Sequence, residues 1–187
     1  MNTSNIQLFS IFFYFAMYVL FFFLISSLLL LAAGNGQSTA RAQSASLRDS
    51  LIIQGEGVSR VVFHLKDLQG LPRKTMCAKD YKGDAMVNFE GVELHEVLKK
   101  AGILLGTHLK HGELSKYLLA EAHDGYKVVF TLAELEPLFT DNIVILADTK
   151  DGKPLDDYAG TMCIIIADEK KNGRWMRQVK SFTIKRG

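Results

Sequence analysis

From Leu8 to Ala33 the sequence runs LFSIFFYFAMYVLFFFLISSLLLLAA, and residues 1–40 contain no Asp, Glu, Lys or Arg. Such a run has no place on the surface of a water-soluble domain, so it divides the chain. About 20 apolar residues in helical form cross a bilayer core, and this run is long enough. The polar stretch GNGQSTARAQS follows, and within it Ala40-Arg41-Ala42 has the small-x-small pattern of a signal peptidase site. Residues 1–42 therefore read as an export signal cleaved before Gln43, or as an uncleaved N-terminal membrane anchor. The expected location is periplasmic or extracytoplasmic, with residues 8–33 as the only membrane contact if they are retained.

Residues 43–187 suffice for one domain with a sizeable core. The formal charge of +2 for the whole chain includes Arg41, so the remainder is nearly neutral. That balance excludes a general nucleic-acid binder, which needs a dominant basic face. Two cysteines, Cys77 and Cys163, do not make a disulfide-dense scaffold.

Residues 43–50, QSASLRDS, form a polar lead-in to a domain spanning 51–187. LIIQGE (51–56) and SRVVFHL (59–65) have the β-branched and aromatic content of strands. KDLQGLP (66–72) reads as a short helical turn. KTMCAKDY (74–81) and AMVNFEG (85–91) flank Lys82-Gly83-Asp84 as a hairpin. GVELHEVLKKAGI (91–103) has one apolar face at helical spacing, made by Val92, Leu94, Val97, Leu98 and Ala101. KYLLAEA (116–122) and YKVVFT (126–131) flank a second turn, His123-Asp124-Gly125. Thr131 and Glu134 have capping-box spacing. NIVILAD (142–148) is apolar enough to be a strand buried on both faces. A turn-rich loop (149–160) follows, then strands over 161–168 and 174–185. Hairpins with short inserted helices, and no internal repeat, give an α+β domain built on a mixed β-sheet.

Four segments in order carry a resemblance: GVELHEVLKKAGI, EAHDGYKVVFTLAELEP, ILADTKDGKPLDDYAG and RWMRQVKSFTI. Together they resemble the molybdopterin-binding oxidoreductase domain of the sulfite oxidase family, in its short exported form, over roughly residues 51–185. The resemblance implies an α+β fold, a molybdenum ion held by a pterin dithiolene and one protein cysteine, and oxygen-atom transfer on a small substrate. It also implies a separate electron-transfer protein as partner, since no haem or flavin motif is present. The chain departs from the family pattern at Gly160-Thr161, where Gly-Pro is common, and at Cys163, where an arginine can stand.

Cys77 lies in about the region of the family's metal-ligating cysteine, and a thiolate is a soft ligand for a transition metal. The plain alternative is a small apolar residue in a strand. Arg174, Trp175 and Arg177 fall near the cofactor cleft of the family fold, where the resemblance implies that the two arginines hold the pterin phosphate, and Tyr126 could reach it. Strand alternation over 174–185 puts Trp175 and Arg177 on one face, in reach of a cation–π pair. The alternative is a strand edge with solvated arginines around a packed Trp. His108 and His111 have HxxH spacing, but on a glycine-flanked loop without an accompanying carboxylate. Two functions remain: a molybdenum-cofactor oxidoreductase, and a cofactor-free module on the same fold that binds a small ligand or a protein.

Overall fold

The computed structural model describes residues 49–187 except Asp168, so the expected export signal or anchor over 1–42 and most of the polar lead-in lie outside the described residues. The described elements are β1 (Ser50–Gly55), β2 (Val58–His64), α1 (Leu65–Gln69), β3 (Arg73–Lys79), β4 (Met86–Glu93) and α2 (Leu94–Lys100), followed by β5 (Lys116–Ala122), β6 (Lys127–Thr131), β7 (Val144–Lys150), β8 (Lys153–Pro154), β9 (Cys163–Ile166) and β10 (Val179–Arg186). They form two sheets. One has the order β2-β1-β10-β5-β6; the other has the order β3-β4-β7-β8, with β9 also on β7. Neighbours run antiparallel except β1 and β10. This is an α+β domain on mixed and antiparallel sheets, as the hairpin-rich sequence implies.

The core lies in two parts. The larger is shared by both sheets and α2, and includes Leu51, Phe182, Leu118, Val97, Leu146 and Ile164. The smaller lies on the other face of the second sheet: Met76, Phe89, Ile145, Ala147, Cys163 and Ile165, with Tyr81 and Trp175 packed against it. β7 feeds both parts, because alternate residues of a strand point to opposite faces. Val144 and Leu146 face the larger core, and Ile145 and Ala147 the smaller. NIVILAD is apolar without alternation for that reason.

Three local differences from the sequence reading have physical causes. The helix expected over 91–103 starts only at Leu94, because Gly91 to Glu93 finish β4. Gly91 presses on β7 so closely that a Cβ there would sit 2.1 Å from the Leu146 carbonyl oxygen. The loop over 149–160 contains β8, turned by Asp151 and Gly152, both in the left-handed region (φ 49° and 75°). Asp-Gly is a strong two-residue hairpin signal, so this strand was legible.

The third difference bears on the site. The strand expected over 174–185 begins at Val179. Asn172–Arg174 form a 3-10 turn, and Met176 pairs with Ile164 of β9 through two backbone hydrogen bonds of 2.7 and 3.1 Å. The chain then crosses from one sheet to the other. Gln178 makes the corner with φ 51°, its N–H donating to the Ala159 carbonyl and its carbonyl accepting from His123 N–H. A left-handed non-glycine residue is sparsely populated and must be held by its surroundings. Strand alternation therefore does not govern residues 174–178.

Two clefts on either side of the tryptophan

Cys77 is in the middle of β3, paired with Asn88. Met76 points into the smaller core, so Cys77 points out, and its thiol is exposed. It lines a cleft of about 450 Å³ with Lys170, Lys171, Asn172 and Trp175. Lys79 on the same wall is paired with Asp84 at 3.1 Å. Lys170 and Lys171 make no ion pair among the described residues. Cys163 is a different case: it is buried in β9 and unpaired, and burial pushes its thiol well above the ordinary range, so it stays protonated.

Trp175 and Asn172 also line a second cavity, of about 260 Å³, with Tyr81, Asp124, Tyr126 and Arg177. Hydrogen bonds hold several of the wall residues. Asp124 accepts from Tyr126 N–H at 2.9 Å in the β5–β6 turn, where Gly125 has φ 86°. The Tyr126 hydroxyl donates to the Gly173 carbonyl, tying that hairpin to the 3-10 turn. Tyr81 donates to Asp156 at 3.0 Å; burial and then this bond raise its hydroxyl above its usual range. Lys82 donates to the same carboxylate at 2.6 Å. That bond first, then the Ala159 N–H, lower the Asp156 carboxyl to about 2.

The aromatic rings form a row. Tyr158 lies 5.6 Å from Tyr81, Tyr81 lies 6.0 Å from Phe89, and Trp175 meets Phe89 edge-on at 6.0 Å. The Arg177 guanidinium lies 3.8 Å from the centroid of Tyr158. The expected Trp175–Arg177 stack is thus replaced by an Arg177–Tyr158 stack, because residues 175–177 are not on one strand face. The indole Nε1 of Trp175 is buried with no acceptor among the described residues. A buried donor without a partner is uncommon and costly.

Arg174 is placed differently from the other predicted residues. It donates to Glu169 at 2.6 Å and to Glu134 at 3.2 Å, and lies over Phe130 at 5.3 Å. Glu134 also completes the capping box foreseen in the sequence, with reciprocal bonds to Thr131 of 3.1 and 3.2 Å. So Tyr126, Trp175 and Arg177 share one cavity, Cys77 shares the adjoining cleft with Trp175, and Arg174 braces the wall between elements. Sequence reasoning missed Tyr81, Asp156 and Tyr158. Their relation spans more than seventy residues, and nothing local signals it.

Among the described residues no group of three or more His, Cys, Asp or Glu could hold a metal, and His108 and His111 sit on two separate 3-10 turns. Among the described residues the soft donors that line this cleft are the Cys77 thiol and the Met86 thioether, and of the two only the thiol can bind as an anion. That set fits a metal whose remaining donors come from an organic dithiolene. Lys170 and Lys171, which make no ion pair among the described residues, fit a phosphate, and the indole N–H without an acceptor among those residues fits an acceptor on the same group.

No family model and no curated protein matches the chain. Among solved structures it is similar to the sulfane dehydrogenase SoxCD from Paracoccus pantotrophus, with 20% sequence identity and a TM-score of 0.56. The match covers 73% of this chain and 38% of that one, so this chain spans well under half the length of its neighbour. The neighbour is a structure of the sulfite oxidase family, and the likeness at this identity is one of fold.

Proposed function

We propose that this is an exported oxidoreductase-type domain that holds molybdenum through a pterin dithiolene, with Cys77 as the protein ligand. The single observation that carries the reading is the position of that thiol. It is exposed on a strand, at the wall of a cleft of about 450 Å³ that is also lined by Lys170 and Lys171. The volume is in the range of small-molecule sites. The ordered motif resemblance and the fold likeness point the same way.

In this reading Cys77 supplies the soft ligand, and Lys170 and Lys171 hold the pterin phosphate as point charges. Trp175 closes one side of the cleft and offers its N–H. Arg174 is a positioning residue: its bonds to Glu134 and Glu169 tie the β6 end to the segment that carries both lysines. The bound group supplies two-electron oxygen-atom transfer on a small substrate. A separate protein would be the electron acceptor, and residues 1–42 would deliver the domain out of the cytoplasm.

The test is pterin content. Full chain purified from cells that make the cofactor should release fluorescent oxidised pterin on oxidative denaturation, in about a one-to-one ratio. Wild-type protein without pterin would overturn the reading.

One observation favours a second reading, a cofactor-free binding module. The cavity across Trp175 has its own cation and aromatic walls and needs no metal. A catalytic fold can serve as a scaffold for binding alone.

A further inference from the structure

We propose that the cavity walled by Tyr81, Tyr126, Trp175 and Arg177 binds a small aromatic monocarboxylate. This rests on the cavity alone and not on the molybdenum reading.

The cation is available. Arg177 makes no ion pair among the described residues, whereas Arg174, three residues earlier, is engaged by two carboxylates. Arg177 is also preorganised. Contact with the Tyr158 ring, 3.8 Å from guanidinium carbon to ring centroid, restricts its side chain, and the Gln178 corner fixes the backbone that carries it. A fixed planar fork recognises a carboxylate through two parallel N–H donors, and less ordering is needed at the moment of binding.

The walls select a ring. Three aromatic side chains line the space, and aromatic faces attract a flat apolar ligand in offset or edge-on geometry. The volume of about 260 Å³ lies just under the range typical of drug-sized ligands, so a single-ring or fused-ring acid fits and a nucleotide does not. The rim limits the charge. Asp124 lines the same cavity, so its carboxylate offsets the one guanidinium of the lining and little net positive charge remains. A ligand with one negative charge is accepted. A dianion such as phosphate meets Asp124 with its second charge and is disfavoured.

The chain carries its own reporter, since Trp175 is the only tryptophan and lines the cavity. Full-length protein would be titrated with benzoate and indole-3-acetate, following Trp175 fluorescence for benzoate and calorimetry for both. Saturable binding with a Kd on the order of 0.1–1 mM is expected. Benzamide, acetate and inorganic phosphate should bind at least about tenfold more weakly, since each lacks the charge, the ring or the single charge. Arg177→Gln should lose at least about tenfold in benzoate affinity, and Tyr126→Leu, with the charge kept, should lose several-fold. Circular dichroism and the unfolding midpoint establish that each variant is folded. The proposal is overturned if neither acid gives saturable binding up to about 10 mM. It is equally overturned if benzamide or phosphate binds as well as benzoate, or if folded Arg177→Gln binds like wild type. The titration is repeated on Cys77→Ser, which should bind benzoate unchanged. Failure here leaves the molybdenum reading standing, and absence of pterin leaves this proposal standing.

Discussion

Arg174 and Arg177 stand on either side of the same tryptophan and answer to opposite constraints. Arg174 is held by Glu134 and Glu169 and covers Phe130. Its charge is neutralised inside the fold, and it links the end of β6 to the segment before Trp175. Arg177 makes no ion pair among the described residues, sits over the Tyr158 ring, and lines a cavity that Asp124 also lines. In sequence the two are indistinguishable members of RWMR. The difference arises because the chain leaves one sheet at Met176 and joins the other at Val179, so local periodicity no longer relates the two side chains. An arginine paired with carboxylates acts on stability, and an unpaired one at a cavity wall acts on binding.

That contrast can be broken or sharpened by four changes, of decreasing expected size. Arg73 is the extreme structural case: it grips Asp148 with two bonds of 2.6 and 2.8 Å, and that carboxylate is only 6% exposed. Arg73→Met leaves a buried charge alone and should cost about 3 kcal/mol, read by urea unfolding. Arg177→Gln should cost at least about tenfold in benzoate affinity, yet move stability by less than about 0.5 kcal/mol. Arg174→Gln should show the reverse. Its partners are partly exposed, so a loss of about 1 kcal/mol is expected, with benzoate affinity within about twofold of wild type. If the two variants behave alike, the contrast is wrong.

The smallest effect concerns the Tyr158 loop beneath Arg177. The folded Asp156 carboxyl is lowered to about 2 from an ordinary 3.8. Its contribution to stability is therefore complete above the unfolded value, and is lost as pH falls from about 4 towards 2. Asp156→Asn should flatten that part of the acid-stability curve, measured by thermal unfolding at successive pH values. An unchanged slope would mean that the Lys82 and Ala159 bonds do not hold this loop in solution.

Much of the fold was legible because it rests on local signals. The turns at Lys82-Gly83-Asp84 and His123-Asp124-Gly125, the Thr131–Glu134 capping box and the doubly buried β7 all follow from spacing and residue type. The helix start was not, because Gly91 answers to the backbone of β7, which comes more than fifty residues later. The site was half legible. Cys77, Tyr126, Trp175 and Arg177 stood out by chemistry. Tyr81, Asp156 and Tyr158 did not, since a tyrosine and an aspartate in turns look ordinary until the fold brings them together. Arg174 stood out by its charge, and sequence could not show the two carboxylates that take it up.

The central claim is that Cys77 is a metal ligand, and elemental analysis tests it most directly. Wild type and Cys77→Ser would each be expressed from the full sequence, residues 1–42 included, in cells that make the cofactor, and molybdenum would be measured per folded protein. The account predicts about one molybdenum per wild-type chain and essentially none in Cys77→Ser, with the two proteins equally folded because the thiol is exposed on its strand. Molybdenum absent from the wild type, or present equally in both, would contradict it.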